Sequence, residues 1–158
     1  MALTLRPAQP ADELFLFELY VTTRMEELAA WGWDASHQDV FLKLQFTAQQ
    51  QHYRTHFAHA DYSIVYLDDR PIGRLIVARG NRDIHIADII VLPEYRGAGI
   101  GTTLIRDILA EAAQAQKSVR LQVLNTNRAI RLYERLGFTI IADGGTHFMM
   151  EARPSAAP

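Results

Sequence analysis

Apolar residues follow two rhythms along this chain, and the character changes near Asp61. Before it, a short alternation over Leu3 to Arg6 predicts a strand closed by Pro7. Pro10-Ala11-Asp12 then opens a helix rich in Leu and Phe that runs to about Thr22. Arg24 to Ala30 continues it or starts a second turn. Trp31-Gly32-Trp33-Asp34 breaks the pattern, and Ser36 or Asp39 is the expected cap of another helix over Val40 to about Phe57. From Tyr62 the period shortens. Tyr62 to Leu67, Ile72 to Arg79 and Ile84 to Leu92 read as three strands, separated by the turns Asp68-Asp69-Arg70-Pro71 and Gly80-Asn81-Arg82-Asp83. The third is almost wholly apolar, as a strand covered on both faces should be. Ile100, Leu104, Ile105, Ile108 and Leu109 recur at helical spacing to about Gln116. Val119, Leu121 and Val123 alternate as a strand. Ala129, Leu132, Tyr133 and Leu136 share a helical face, and Gly137 suits the position just past its end. Phe138 to Ala142 and Thr146 to Glu151 read as closing strands.

That order, a β-meander feeding a β-α-β-α-β unit, predicts an α/β fold with a mixed sheet and helices on both faces. At 158 residues the chain fits one domain over residues 1–152, with a disordered tail at 153–158. Hydrophobic residues at 49% and a net charge of -2 fit a globular protein with no nucleic-acid or membrane partner implied. There is no cysteine, which removes thiol nucleophiles and disulfides and fits a reducing, cytoplasmic setting.

The sharpest chemical signal lies in Glu94-Tyr95-Arg96-Gly97-Ala98-Gly99-Ile100-Gly101-Thr102. A helix start carries unpaired N–H groups and partial positive charge, and glycines let an anion approach the backbone closely. Arg96 adds a planar cationic fork suited to phosphate. The stretch therefore predicts a pyrophosphate site. Neither common nucleotide motif fits. No lysine stands where a P-loop needs one, and the glycine spacing of a dinucleotide fold is missed, with Thr102 or Leu104 at its third glycine.

Arg96-Gly97-Ala98-Gly99-Ile100-Gly101 does resemble the Arg/Gln-x-x-Gly-x-Gly/Ala signature of the GNAT superfamily of acetyl-CoA-dependent N-acetyltransferases. Its lead-in Ile90 to Tyr95 is similar to that family's. Asn127-Arg128-Ala129-Ile130-Arg131-Leu132-Tyr133, ending in Gly137-Phe138, resembles the second family motif. The resemblance covers roughly Asp61 to Met150. It implies a sheet that splays after Leu92 between the strands Ile84–Leu92 and Val119–Leu124. Acetyl-CoA is the implied co-substrate. The strand edge Ile89, Ile90 and Val91 would meet the pantetheine arm, with the Val91 N–H on the thioester carbonyl. The amides from Arg96 to Thr102 would hold the diphosphate. Tyr133 would be the general acid for the departing thiolate; otherwise it is a core tyrosine with its hydroxyl tied to a carbonyl. Asn127 is either an N-cap or a cofactor contact, and Asn125 is an alternative cap.

Asp88 shares a face with Ile86 and Ile90 if its strand is regular. An acid in that setting suits a base that must take a proton from an ammonium. Pairing with Arg74 is the plain alternative, and a β-bulge would undo the parity. His85 is a weaker candidate, read as a surface histidine. Glu26, Trp31 and Trp33 form an acidic and aromatic stretch that could wall a cationic acceptor, or simply end a helix over the core. His52 and His56 lack a zinc-protease glutamate, and no metal is expected. The implied reaction is acetyl transfer to a primary amine, on a small molecule or a protein, with a possible homodimer. The competing reading is a catalytically inactive acyl-CoA-binding sensor.

Overall fold

A computed structural model describes residues 2–32 and 34–154, without the side chains of Glu26, Glu27 and Trp31. The described residues form five α-helices and seven strands in the order β1 (Leu3–Pro7), α1 (Glu13–Thr22), α2 (Met25–Trp31), α3 (Ala35–His56), β2 (Asp61–Leu67), β3 (Arg70–Arg79), β4 (Asp83–Val91), α4 (Ile100–Gln114), β5 (Ser118–Leu124), α5 (Ile130–Arg135), β6 (Thr139–Asp143) and β7 (His147–Ala152). The strands hydrogen-bond in the order β1-β2-β3-β4-β5-β7-β6, a mixed sheet in which β4 and β5 are the parallel pair. The expected element order holds throughout. Among the described residues no helix is long and apolar enough to cross a membrane.

The chain forms two compact units, Met1–Leu75 with Ile90–Arg96, and Ile76–Ile89 with Gly97–Pro158. In the first, β1 runs antiparallel to β2, from Leu3 opposite Leu67 to Pro7 opposite Ser63. Its core gathers Leu16, Tyr20, Leu28, Leu42, Phe46 and Ile64. Phe46 meets Phe17 edge-on at 5.5 Å, a geometry worth about 0.5–1.5 kcal/mol beyond burial. Asp34, not Ser36 or Asp39, caps α3: its Oδ1 accepts the His37 N–H at 2.8 Å, so the helix begins five residues before Val40. The aspartate sits before the first helical residue, where an extended backbone lets a short carboxylate reach an orphan N–H. Arg74 is buried on β3, donating to Gln50 Oε1 at 3.1 Å and Gln49 Oε1 at 3.2 Å and lying over the Tyr53 ring.

In the second unit, β5 pairs antiparallel with β7 from Val119–Ala152 to Leu124–His147, and β6 closes on β7 with an irregularity between Ile140 and Ala142. Leu104, Ile105, Ile108 and Ala112 of α4 are buried, as the helical spacing requires, and α4 packs on β5. Glu151 is buried too, and it accepts from Arg120 Nε at 2.8 Å and Arg153 Nε at 3.0 Å. The β4–β5 ladder pairs Asp83 with Ser118 through Ile86 with Leu121 and stops there, although both strands go on. The expected splay therefore begins earlier than the sequence suggests, at Ala87 rather than after Leu92.

Candidate active site

Two left-handed glycines make the turn into α4. Gly97 has φ +79° and Gly99 +81°, conformations that a side chain strains, and Gly99 is the residue from which the helix starts. The α4 ladder opens with the Thr103 N–H on the Gly99 carbonyl at 3.0 Å. Among the described residues the N–H groups from Gly97 to Thr102 meet no backbone acceptor, so one short turn presents a run of open donors. Apart from chain neighbours and the helix's own backbone, no described atom lies within 4 Å of where a Cβ would stand on Gly97, Gly99 or Gly101. Ala98 is exposed and Ile100 is buried beneath the turn. Open amides, bare Cα atoms and the positive end of a 15-residue helix form a cradle that fits a diphosphate.

Tyr133 is fixed by the way α5 ends. The Gly137 N–H reaches the Glu134 carbonyl at 3.1 Å, and the Phe138 N–H reaches the Tyr133 carbonyl at 3.0 Å. Gly137 supplies the left-handed φ, +98°, that this paired closure needs. The closure folds Phe138 back so that its ring meets Tyr133 edge-on at 5.8 Å. Tyr133 is 8% exposed, and its hydroxyl has no hydrogen-bond partner among the described residues. Of the plain reading, the core position of the tyrosine holds, but its hydroxyl is tied to no described carbonyl. Burial first, and then the charge of Asp88, push the phenol above its usual value of 10.0. The residue stays protonated at neutral pH, the form in which an acid must wait.

Asp88 is half-buried on β4 and lies within electrostatic reach of Tyr133. Regular alternation does not carry through this strand. Ile84 and Ile86 are buried and so is Val91, an odd step away, so the parity that sets Asp88 beside Ile86 and Ile90 slips. His85 is half-buried rather than on the surface. Burial, with a smaller contribution from Arg120, lowers it below 6.5 against the opposing charge of Asp83. Asn127 Oδ1 accepts the Ala129 N–H at 2.9 Å and its carbonyl accepts the Ile130 N–H, so it builds the turn that leads into α5, whose N-cap is Ala129 with no side-chain cap. Asn125 does not: its Nδ2 donates to the Gly145 carbonyl at 2.7 Å, tying the end of β5 to the β6–β7 turn.

In the first unit, Val91 is buried and Ile90 half-buried. Arg96 Nε donates to the Val91 carbonyl at 2.8 Å, an engagement the sequence did not announce. Of the acidic and aromatic stretch, Trp33 and the side chains of Glu26 and Trp31 lie outside the described residues. Gly73 was missed altogether. A Cβ on it would stand 2.3 Å from the Ile90 carbonyl oxygen. A glycine inside a strand was the available signal, because it marks a close backbone approach.

The class these observations define is an α/β protein with a mixed sheet, a parallel strand pair that parts, and a glycine turn with open amides at the start of the next helix. The acetyltransferase (GNAT) family model matches residues 16–138, and the chain belongs to that family. It is 34% identical over 80 residues to glucosamine 6-phosphate N-acetyltransferase of Trypanosoma brucei brucei, which covers 44% of this chain and 54% of that protein. It is 44% identical over 59 residues to thialysine N-epsilon-acetyltransferase of Mus musculus, covering 35% of this chain and 34% of the relative. The match thus spans only about half or a third of these relatives. A PaiA N-acetyltransferase from Thermoplasma acidophilum, crystallised with coenzyme A, shares the fold at TM-score 0.70 and 18% identity, over 97% of this chain and 99% of that one.

Proposed function

We propose that this protein transfers an acetyl group from acetyl-CoA to a primary amine by direct attack in a ternary complex. The run of open amides from Gly97 to Thr102 behind two left-handed glycines carries the reading. In this reading those amides and the Arg96 guanidinium hold the diphosphate. The backbone of Ile89, Ile90 and Val91 lines the pantetheine arm, and Asn127 adds a polar contact beside the turn it closes. The amine nitrogen forms a C–N bond to the thioester carbon, and the resulting oxyanion rests on the Val91 N–H. Asp88 takes the proton the nitrogen sheds. The C–S bond then breaks, and Tyr133 gives its proton to the leaving sulfur, so that amide and free thiol leave and the Asp88 proton restores the phenol through solvent. No covalent enzyme intermediate is needed, and the chain has no cysteine to form one.

Relatives named for glucosamine 6-phosphate and for thialysine support a small primary amine as acceptor. Glu26, Trp31 and Trp33 are the residues we assign to a cationic one. Thermal shift tests the donor: acetyl-CoA at 100 times its Kd should add about 2.7 kcal/mol, and ATP or NAD should add nothing. Thiol release across an amine panel tests the transfer. Stabilisation by ATP but not by acetyl-CoA sinks the proposal, and binding without release with any amine leaves the sensor reading in its place.

A further inference from the structure

The peptide between Ile90 and Val91 is the one on which the proposed oxyanion contact depends, since it carries the Val91 N–H. Its carbonyl lies against β3. A Cβ on Gly73 would stand 2.3 Å from the Ile90 oxygen and 3.3 Å from Val91 Cα, distances that only a glycine accommodates. A trans peptide sets C=O and N–H on opposite sides, and the chain has no cis bond. With the Ile90 oxygen turned to Gly73, the Val91 N–H is turned away from β3. The next peptide is fastened at both ends. The Leu92 N–H donates to the Ile72 carbonyl at 2.8 Å, and the Val91 carbonyl accepts from Arg96 Nε at 2.8 Å.

We infer that Gly73 and Arg96 are positioning residues that set the plane of the Ile90–Val91 peptide, Gly73 by letting the carbonyl in and Arg96 by pinning the peptide that follows. Arg96 thereby serves the reaction in a way that is separate from any grip on phosphate. The inference rests on the acetyl-transfer reading above and is tested apart from it. S-acetylpantetheine offers the same thioester with no diphosphate. Arg96→Lys keeps the charge and loses the planar Nε donor. It should lower kcat with S-acetylpantetheine about tenfold or more, as a misaimed oxyanion donor does. Gly73→Ala should lower kcat with both donors by roughly ten- to a hundredfold while KM for acetyl-CoA moves less than about threefold. Amide exchange in the free protein supplies the second readout: Leu92 should exchange about tenfold faster in each variant. If Arg96→Lys weakens acetyl-CoA yet leaves S-acetylpantetheine turnover intact, Arg96 only holds phosphate and the inference is overturned. If the wild type turns over neither donor with any amine, the acetyl-transfer reading has failed instead. In that case unchanged Leu92 exchange in both variants overturns the positioning roles as well.

Discussion

Gly101→Ala separates a glycine kept for the fold from one kept for a ligand. Gly97 and Gly99 cannot do so, because their positive φ makes any side chain strained before a ligand is considered. Gly101 is different. It is the second residue of α4, it lacks a left-handed φ, and, chain neighbours and the helix's own backbone apart, no described atom lies within 4 Å of its missing Cβ. A methyl group there costs the free protein nothing sterically and removes conformational freedom from the unfolded chain. The expected gain is about 0.4–1 kcal/mol. At about 2–4 °C per kcal/mol for a chain of this size, Tm should rise by roughly 1–4 °C. The same methyl stands among the open amides of Gly97 to Thr102. If a diphosphate sits there, at least one charge-assisted hydrogen bond is lost, at about 1.5–3 kcal/mol. That weakens acetyl-CoA by roughly 10- to 100-fold. Scanning fluorimetry without ligand and calorimetric titration with coenzyme A read the two effects separately. A raised Tm with an unchanged Kd would show that no diphosphate lies over these amides, and the donor assignment would go with it.

Three further outcomes are expected. Tyr133→Phe should lower kcat by about 10²–10⁴ and shift stability by less than about 0.5 kcal/mol at pH 7, since no described residue hydrogen-bonds the hydroxyl. Because the folded phenol titrates above 10.0, its neutral form adds stability that is present below pH 10 and lost as pH rises through the folded value; Tyr62 is raised as well, so an alkaline melt should show a steeper loss in the wild type than in the variant. Glu151→Gln should cost about 1–2 kcal/mol at pH 7, discounted because Arg120 is partly and Arg153 largely exposed. Hydrogen bonds from Arg153 and then Arg120 hold this carboxyl below 4.5, so the contribution exists above pH 4.5 and fades as pH falls through the folded value; a gap between variant and wild type that persists in acid would refute the ion-pair account. Asp34→Ala removes the α3 cap and should cost about 1 kcal/mol, read as a fall in Tm of about 2–4 °C.

The glycine turn into α4 and the end of the Tyr133 helix were legible in the sequence because both are written in backbone. Glycines at 97, 99 and 101 ahead of an amphipathic run state which amides are open. Gly137-Phe138 states how the Tyr133 helix must close, and the structure supplies the two bonds and the ring contact that closure demands. What was misplaced depends on partners distant in sequence. The end of the β4–β5 ladder at Ile86 is set by how two strands separated by a helix diverge, which neither strand's own pattern contains. The alternation of β4 likewise breaks between Ile86 and Val91, and the close approach of the Ile90 carbonyl to Gly73 on the neighbouring strand is not written in β4's own pattern. Asp34 was passed over as a cap because Ser36 and Asp39 satisfy the same local rule, and only the extended backbone at residue 34 decides among them. The acceptor is the extreme case. A cradle of amides asks one thing of any sequence, the absence of side chains, whereas an amine is recognised by side chains converging from segments whose spacing says nothing about convergence. A family can therefore keep one donor site in a recognisable form while its members' names run from an amino sugar to a lysine analogue.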